Sequence, residues 1–154
     1  MNSKFMEEAI NQAKIAFSKG EVPIGAVIVK KGEIIAAAHN LCEELSDATA
    51  HAEMLCIKKA AEKLGNFRLK DTELYVTLEP CPMCAGAAIN ARIDEIIFGA
   101  FDPQKGALGS VTNLYSFDFP NKPTVYSGIR ERECLNLLQQ FFKRRRNSSN
   151  KLNM

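Results

Sequence analysis

The sequence predicts a single layered α/β domain. Short runs of apolar, β-branched residues alternate along the chain with segments in which apolar residues recur at helical spacing, which is typical of helices packed on a sheet. The 154 residues suffice for one domain with a filled core and leave little room for a second. With 46% hydrophobic and 25% charged residues, the composition is that of a globular protein and argues against disorder or a coiled-coil rod.

The N-terminal part is predicted to form a helix followed by a β-hairpin. Apolar side chains recur at helical spacing over residues 4–18, and a glycine follows as a stop. Apolar runs at 22–30 and 33–38 flank Lys31-Gly32, a pattern typical of a hairpin. Pro23 belongs at the beginning or the edge of its strand, because proline has no N–H for the ladder.

The middle of the chain is predicted to contain a helix, a strand and a second helix. The first helix covers about 50–64, and either Asp47 or Thr49 is expected as its N-cap. A short buried strand follows at 74–78. Proline at a first-turn position then opens a helix over 82–91.

The C-terminal third is predicted to contain two strands, at 96–100 and 124–126, and a final helix over 130–146. The segment 101–123 between them is long for a structureless loop, so it is either a functional loop or contains a further helix. The domain is therefore expected to span residues 1–146 and to be followed by a polar tail, 147–154.

Two short motifs carry metal-binding side chains. Cys81 and Cys84 lie three residues apart at the start of a predicted helix, where free N–H groups and the helix dipole favour thiolates. His51, at the start of another helix, supplies an imidazole. Three protein ligands leave the fourth position of a tetrahedral zinc ion for water, which is typical of catalytic zinc. The pattern predicts a catalytic zinc site.

Glu53 is the candidate proton carrier. It lies on the same helical turn as His51 but points elsewhere, so its carboxylate can face the zinc-activated water and pass a proton to the substrate. The order H-x-E followed by P-C-x-x-C, about 30 residues apart, matches the signature of zinc nucleobase deaminases. A lone C-x-x-C is also typical of a thiol redox pair or of a structural zinc site, for instance in an RNA-binding subunit.

The other cysteines and the N-terminus bear on the compartment. Five cysteines are an odd number, which fits poorly with a disulfide framework, and Cys42, Cys56 and Cys134 are interpreted as packing residues. No apolar run approaches the roughly 18 residues of a membrane helix. Glu7 and Glu8 lie where a signal peptide would be apolar. The sequence therefore predicts a cytoplasmic protein.

Positive charge is concentrated at the C-terminus. The net charge is +2, but residues 130–154 hold seven Lys or Arg against two Glu, a net +5, which leaves −3 for residues 1–129. This asymmetry indicates an acidic partner that contacts the C-terminal helix.

The motifs together resemble the bacterial tRNA-specific adenosine deaminases (TadA), a family of the cytidine-deaminase superfamily. The superfamily shares the motifs at 25–27, 49–53 and 79–84. Segments that look specific to the tRNA enzymes are 21–25, 98–107 with Gly109-Ser110, Glu133-Cys134 and 141–146. The resemblance covers nearly the whole chain, from the first helix to about residue 146.

The resemblance implies a three-layer α/β/α cytidine-deaminase-like fold with a five-stranded mixed sheet flanked by helices. It implies a homodimer that converts adenosine to inosine at the wobble position of the tRNA anticodon stem-loop. His51, Cys81 and Cys84 would hold one Zn²⁺ per subunit, and Glu53 would be the catalytic acid and base. The implied substrate-binding residues are Val22, Pro23, Asn40, Ala52, Asp102, Lys105, Phe142, Arg145 and Arg146.

Some positions depart from the family pattern. Ala48 replaces a usual proline, which affects the rigidity of a turn more than the chemistry. Phe101 replaces a usual arginine, which removes a phosphate contact but offers an aromatic ring for stacking on a base. The loop 114–123 aligns poorly and is assigned no contacts. A deaminase of a free base or nucleotide such as guanine is the alternative, although such a substrate needs no polycationic helix.

Overall fold

A five-stranded sheet forms the centre of the structure, a computed structural model that describes residues 1–152, with side chains described through residue 149. Within these residues the order of elements is α1 (Ser3–Ser18), β1 (Gly25–Lys30), β2 (Glu33–His39), α2 (Ala52–Leu64), β3 (Thr72–Leu78), α3 (Pro82–Asn90), β4 (Glu95–Ala100), a short 3₁₀ helix (Leu114–Ser116), β5 (Thr124–Tyr126) and α4 (Glu131–Leu152).

The sheet is mixed, and its strand order is β2-β1-β3-β4-β5. Strand β1 runs antiparallel to β2 and β3, whereas β3, β4 and β5 are parallel. The hairpin predicted between β1 and β2 is confirmed, and Lys31 and Gly32 both have positive φ, as the tight hairpin turn requires. Because β3 and β4 are parallel, the loops that follow them emerge side by side at one edge of the sheet, and the candidate site lies there.

Helices cover both faces of the sheet and make three layers. On one face α1 and α4 pack through Met6, Ile10 and Cys134 against side chains such as Tyr75 and Ile97. On the other face a larger cluster packs Cys56 of α2 and Ala85 of α3 against side chains at the alternate strand positions: Ile28, Leu74, Val76, Ile96 and Phe98. The central strands are therefore apolar on both sides, as expected of buried parallel strands. The α/β/α fold with a five-stranded mixed sheet is confirmed.

The N-cap predicted for α2 is wrong. His51 occupies that position and makes no capping hydrogen bond with its side chain. Asp47 instead accepts hydrogen bonds from the backbone N–H and the hydroxyl of Thr49, at 2.8 and 2.7 Å. The two residues that looked like helix caps therefore stabilise a local turn before the helix begins.

The final helix is longer than predicted. It continues to Leu152 through residues expected to form a polar tail, because neither proline nor glycine interrupts residues 131–152. Residues 153–154 of that tail lie outside the described part of the chain, and the domain limit at residue 146 stays a prediction. The long segment 101–123 contains the short 3₁₀ helix and an isolated bridge between Leu108 and Asn113. None of the described helices is long and apolar enough to cross a membrane.

Candidate active site

The three predicted metal ligands meet at the N-terminal ends of two helices. His51 precedes α2, Cys81 precedes α3, and Cys84 lies in the first turn of α3, where Pro82 begins the helix. The Nδ1 atom of His51 is 3.6 Å from each of the two Sγ atoms. All three candidate ligand atoms lie within 4.8 Å of one another. The fold therefore brings an imidazole nitrogen to two sulfurs that are 30 and 33 residues away from it in sequence.

The spacing of these atoms fits a tetrahedral zinc ion. Zinc binds sulfur at ~2.3 Å and imidazole nitrogen at ~2.0–2.1 Å, so tetrahedral angles place adjacent S and N ligands about 3.6 Å apart. Both S–N distances in the structure, from Cys81 and Cys84 to His51, have this value. His51 and Cys81 are half-buried and Cys84 is buried. The donor set therefore fits zinc in both chemistry and geometry.

Hydrogen bonds within the cluster distribute its protons unequally. A hydrogen bond with Cys84 lowers the pKa of the Cys81 thiol to about 4 against the opposing effect of burial, and His51 lowers it further. The same hydrogen bond, together with burial, raises the pKa of Cys84. The hydrogen bond with Cys81 also raises the pKa of His51. One thiolate is therefore already stabilised before a cation arrives, whereas Cys84 must lose its proton when a metal binds.

Glu53 lies in the first turn of α2, beside this cluster and almost completely buried. Burial raises the pKa of its carboxyl group, while the nearby His51 opposes the shift. The carboxyl group also interacts with the Cys84 thiol. A buried carboxyl group with a raised pKa holds and releases a proton nearer to neutral pH than an exposed one does, which suits general acid–base chemistry.

Asn40 connects the end of β2 to the same helix. Its Oδ1 atom accepts a 2.8 Å hydrogen bond from the backbone N–H of Ala52, the residue between His51 and Glu53. This contact assigns the carbonyl oxygen of the amide to α2. Asn40 lines the cleft described below, and its NH₂ group is left as a donor for a ligand.

A cleft of about 1140 Å³ opens from the cluster toward solvent. His51, Glu53 and Cys81 line it at the cluster. Loop 101–105, which follows β4, and the face of α4 form two of its walls. Most of the predicted substrate-binding residues line this cleft: Val22, Asn40, Asp102, Lys105, Phe142, Arg145 and Arg146.

Two predicted substrate contacts lie elsewhere. Pro23 and Ala52 are buried and are not among the residues that line the cleft. Ala52 contributes through its backbone N–H to Asn40, so the structure does not bring its side chain into the site. Cys56 and Cys134 are buried, as expected of packing cysteines, but Cys42 is only half-buried and lines the cleft. The packing interpretation is therefore wrong for Cys42.

The adjacent residues Phe141 and Phe142 separate onto two sides of α4. Phe141 is buried and packs edge-on against Phe17, with ring centroids 5.8 Å apart. Phe142 is 42% exposed and lines the cleft. The sequence did not decide which ring belongs to the core, and the structure assigns Phe141 to it. Arg145 forms a 3.6 Å ion pair with Glu43, which links α4 to the loop after β2.

Two buried carboxylates have roles that the sequence did not reveal. Glu21 accepts hydrogen bonds from the backbone N–H groups of Glu43 and Glu44, at 3.0 and 2.8 Å. Glu79 accepts several from the loop after β4, as described below. Both residues belong to motifs that carried the family resemblance, but their partners are backbone groups of distant loops. Side-chain patterns do not reveal such partners.

Comparisons with known proteins agree with the fold and the cluster in defining a deaminase. The family model of the MafB19-like deaminases matches residues 1–146. Within that class, the chain belongs to the tRNA-specific adenosine deaminases. It is 53% identical over 140 residues to the tRNA-specific adenosine deaminase of Bacillus subtilis (strain 168), covering 90% of this chain and 87% of the relative.

One solved structure gives the same assignment. A structure from work on A-to-I editing by tRNA:A34 deaminases at the wobble position of transfer RNA superposes with a TM-score of 0.86 at 46% identity, covering 89% of this chain and 100% of the other. A guanine deaminase from Bacillus subtilis is more distant. It has a TM-score of 0.62 and 34% identity, covering 78% of this chain and 88% of the other.

Proposed function

We propose that this protein converts adenosine to inosine at the wobble position of a tRNA anticodon by hydrolytic deamination. One observation carries the proposal: the buried Glu53 carboxyl lies beside the His51, Cys81 and Cys84 cluster, next to a wide cleft partly walled by the basic helix α4. The cluster and Glu53 supply the groups that carry out the reaction, and the cleft beside the basic helix α4 accommodates a polyanionic substrate.

The metal is proposed to be zinc, one ion per subunit, bound by the Nδ1 atom of His51 and by the thiolates of Cys81 and Cys84. The S–N distances of 3.6 Å support this choice. Replacing His51 with alanine removes one of three protein ligands, so H51A is expected to lose most of its zinc in metal analysis of the purified protein. Retention of one equivalent of zinc in H51A would contradict the ligand assignment.

Glu53 is proposed to move the protons of the reaction. When bound, zinc supplies an activated water molecule for attack on C6 of adenine. Glu53 accepts a proton from that water and delivers it to N1 of the ring, and it then takes the proton of the new C6 hydroxyl and passes it to the departing amino group. Water is consumed, ammonia leaves, and the carbonyl group at C6 makes the product inosine. The burial that raises the pKa of Glu53 favours this exchange.

The nucleotides are proposed to bind along the cleft. The NH₂ group of Asn40 donates to the target base, and Val22 lines the pocket beside it. Asp102 and Lys105 contact the neighbouring nucleotides. The α4 residues Phe142, Arg145 and Arg146 meet the stem-loop. A base in an RNA loop is already unpaired or cheap to unstack, so it enters such a site at little cost.

Phe101 extends this surface beside Asp102. Its ring is 43% exposed, lines the cleft, and contacts Phe98 edge-on with centroids 5.2 Å apart. The contact with the buried ring of Phe98 holds Phe101 in place, and much of the residue stays exposed. Stacking on a flanking base is proposed for this position.

We also propose that the protein works as a homodimer in the cytoplasm. All five cysteines are free, which suits a reducing compartment. Exposed aromatic residues at Phe117 and Phe119 lie in contact with each other outside the cleft, and such a surface suits contact with a second subunit. Sedimentation velocity on the purified protein tests the dimer directly.

Deamination of a free base such as guanine is the alternative function. The similarity to a guanine deaminase favours it, and the cleft argues against it. A cleft of about 1140 Å³ exceeds the usual upper range of about 1,000 Å³ for drug-sized ligands, and a free base needs no contact with α4.

The test compares the two substrates side by side. Zinc-loaded protein is incubated with an anticodon stem-loop RNA that carries a wobble adenosine and, separately, with free guanine. The proposal predicts inosine in the RNA and no loss of guanine. Turnover of guanine with intact RNA adenosine would reject the tRNA assignment. If the purified protein contains no zinc, and if Cys81 and Cys84 cycle between thiols and a disulfide, the result would instead indicate a redox protein.

A further inference from the structure

Glu79 is a buried carboxylate that the proposed chemistry does not use. It follows β3 directly, is 2% exposed, and forms no salt bridge within the described part of the chain. Its Oε1 atom accepts hydrogen bonds from the backbone N–H of Asp102, at 3.0 Å, and from the hydroxyl of Ser110. Its Oε2 atom accepts from the backbone N–H groups of Leu108 and Ser110, at 3.0 and 3.1 Å. Donors from one loop therefore compensate the buried charge.

The loop 102–110 is closed around this carboxylate. A Cβ atom added at Gly106 would lie 2.3 Å from the carboxylate carbon of Glu79 and 2.4 Å from each oxygen, so only glycine fits there. The backbone N–H of Gly106 donates to the carbonyl of Asp102 at 2.9 Å, and that of Ala107 donates to the carbonyl of Pro80 at 2.9 Å. Glu79 therefore accepts hydrogen bonds from both ends of the loop, at Asp102 and at Ser110, and holds them together.

The same loop carries the cleft wall that faces the RNA in the proposed function. Asp102 and Lys105 line the cleft. The Oδ1 atom of Asp102 accepts from the backbone N–H groups of Gln104 and Lys105, which fixes this turn locally. Glu79 lies two residues before Cys81. One side chain therefore sets the position of the RNA-facing wall relative to the segment that carries the metal ligands.

We propose that Glu79 is a positioning residue for the RNA substrate, acting through loop 102–110 and without contact to the reacting atoms. The proposal rests on the function proposed above. Glu79 and Gly106 together fix the position of Asp102 and Lys105, so a change at either residue weakens binding of the nucleotides next to the target and leaves the chemistry at the cluster intact.

Glu79→Gln tests this with little change in volume. An amide NH₂ in the Oε1 position still meets the Ser110 hydroxyl, which can reverse and accept, but it leaves the Asp102 N–H without an acceptor. The KM for the anticodon stem-loop is expected to rise about tenfold, as for the loss of one charge-assisted hydrogen bond. The kcat is expected to stay within about threefold and the zinc content to stay at one equivalent.

Gly106→Ala tests the same contact from its other side. Its Cβ atom would collide with the carboxylate and displace the loop while Glu79 is retained, so a similar rise in KM is expected. The double variant is expected to be less impaired than the product of the two single effects, because both changes break one contact. Gly86→Ala is the matched control, since a Cβ atom in that position on α3 meets nothing within 4 Å.

The outcomes are distinguishable. An unchanged KM in both E79Q and G106A, or a fall in kcat that parallels a loss of zinc, would overturn the positioning role in favour of a purely structural one. If E79Q does not fold, G106A decides by the same criteria. If the wild-type protein forms no inosine, the proposed function has failed on its own. Direct binding of stem-loop RNA then decides, since weaker binding by the variants supports the positioning role and equal binding refutes it.

Discussion

The side-chain oxygen of Asn40 accepts a 2.8 Å hydrogen bond from the backbone N–H of Ala52, the first residue of α2. An N-cap side chain normally accepts from the N–H of the second or third helical residue, so the first N–H needs another acceptor. His51 occupies the N-cap position but directs its Nδ1 atom to Cys81 and Cys84, so it makes no capping bond. Asn40, the residue that follows β2, supplies the acceptor for this first N–H and fixes the turn that carries His51 and Glu53.

Asn40→Ala should therefore reduce both stability and activity. The Ala52 N–H would lose its buried acceptor, and the free energy of unfolding is expected to fall by about 1–3 kcal/mol. Turnover is expected to fall as well, because the donor to the base is lost. Chemical denaturation and the inosine assay measure the two effects. Asn66→Ala is the control, because Asn66 accepts from the N–H of Arg68 at an exposed site where water replaces the contact. Equal losses in both variants would contradict this role.

Glu53→Gln should abolish turnover without loss of metal. The amide keeps the shape of the side chain but cannot take a proton from water, and the loss of a general acid–base group is worth about 100- to 10,000-fold in rate. Single-turnover inosine formation and metal analysis measure the two quantities. Glu62→Gln, at an exposed position on the same helix, is expected to behave as wild type. An active E53Q protein would remove Glu53 from the mechanism.

The same substitution should stabilise the metal-free protein at neutral pH. Burial raises the pKa of Glu53 in the folded state, so the unfolded chain releases this proton first as the pH rises. Stability is therefore lost between the ordinary carboxyl pKa and the raised one, at about 1.4 kcal/mol for each unit by which the folded pKa is raised.

The E53Q variant has no such titration. Its advantage in melting temperature over the metal-free wild type is expected to be small near pH 4 and to grow toward pH 7, where other carboxyl groups titrate equally in both proteins. Thermal unfolding in chelator across this range is the measurement. A difference between the two proteins that does not vary with pH would contradict the raised pKa.

Arg146→Ala should make RNA binding less sensitive to salt. Arg146 is exposed and lines the cleft on α4, and each phosphate contact contributes about 0.7–0.9 to the slope of log K against log salt concentration. Titrations of stem-loop RNA at several salt concentrations are expected to give a shallower slope by about that amount. Lys63→Ala removes an exposed charge in the last turn of α2, at the end of that helix opposite Glu53. This variant should leave the slope unchanged. Equal slopes for all three proteins would remove Arg146 from the interface.

The sequence predicted the parts of this structure that depend on local patterns. Helical and strand periodicity placed most elements to within a few residues, and the spacing of Cys81 and Cys84, with His51 on another helix, predicted a cluster that the fold does assemble. The predictions that failed depend on distant contacts. The acceptor for the first N–H of α2 comes from Asn40, which follows β2, and nothing in the Asp47-to-Thr49 segment reveals it.

The residues around the cleft also depend on contacts between distant segments, which sequence patterns do not reveal. Phe141 is buried on the side of α4 that packs against Phe17 of α1, whereas Phe142 is exposed. The loop 102–110 is organised by hydrogen bonds from its backbone to Glu79, and backbone N–H groups are the same for every residue except proline. A sequence motif therefore identifies such a loop but does not show which contacts fix its conformation.

The most direct test of the account is the source of the oxygen in the product. Zinc-loaded protein is incubated with an anticodon stem-loop RNA carrying a wobble adenosine, in water enriched in heavy oxygen, and the nucleosides are analysed by mass spectrometry. Hydrolytic deamination at this site should give inosine that carries one heavy oxygen at C6, formed by the wild type and not by E53Q. Absence of inosine, or inosine without the label, would contradict hydrolytic deamination at this site.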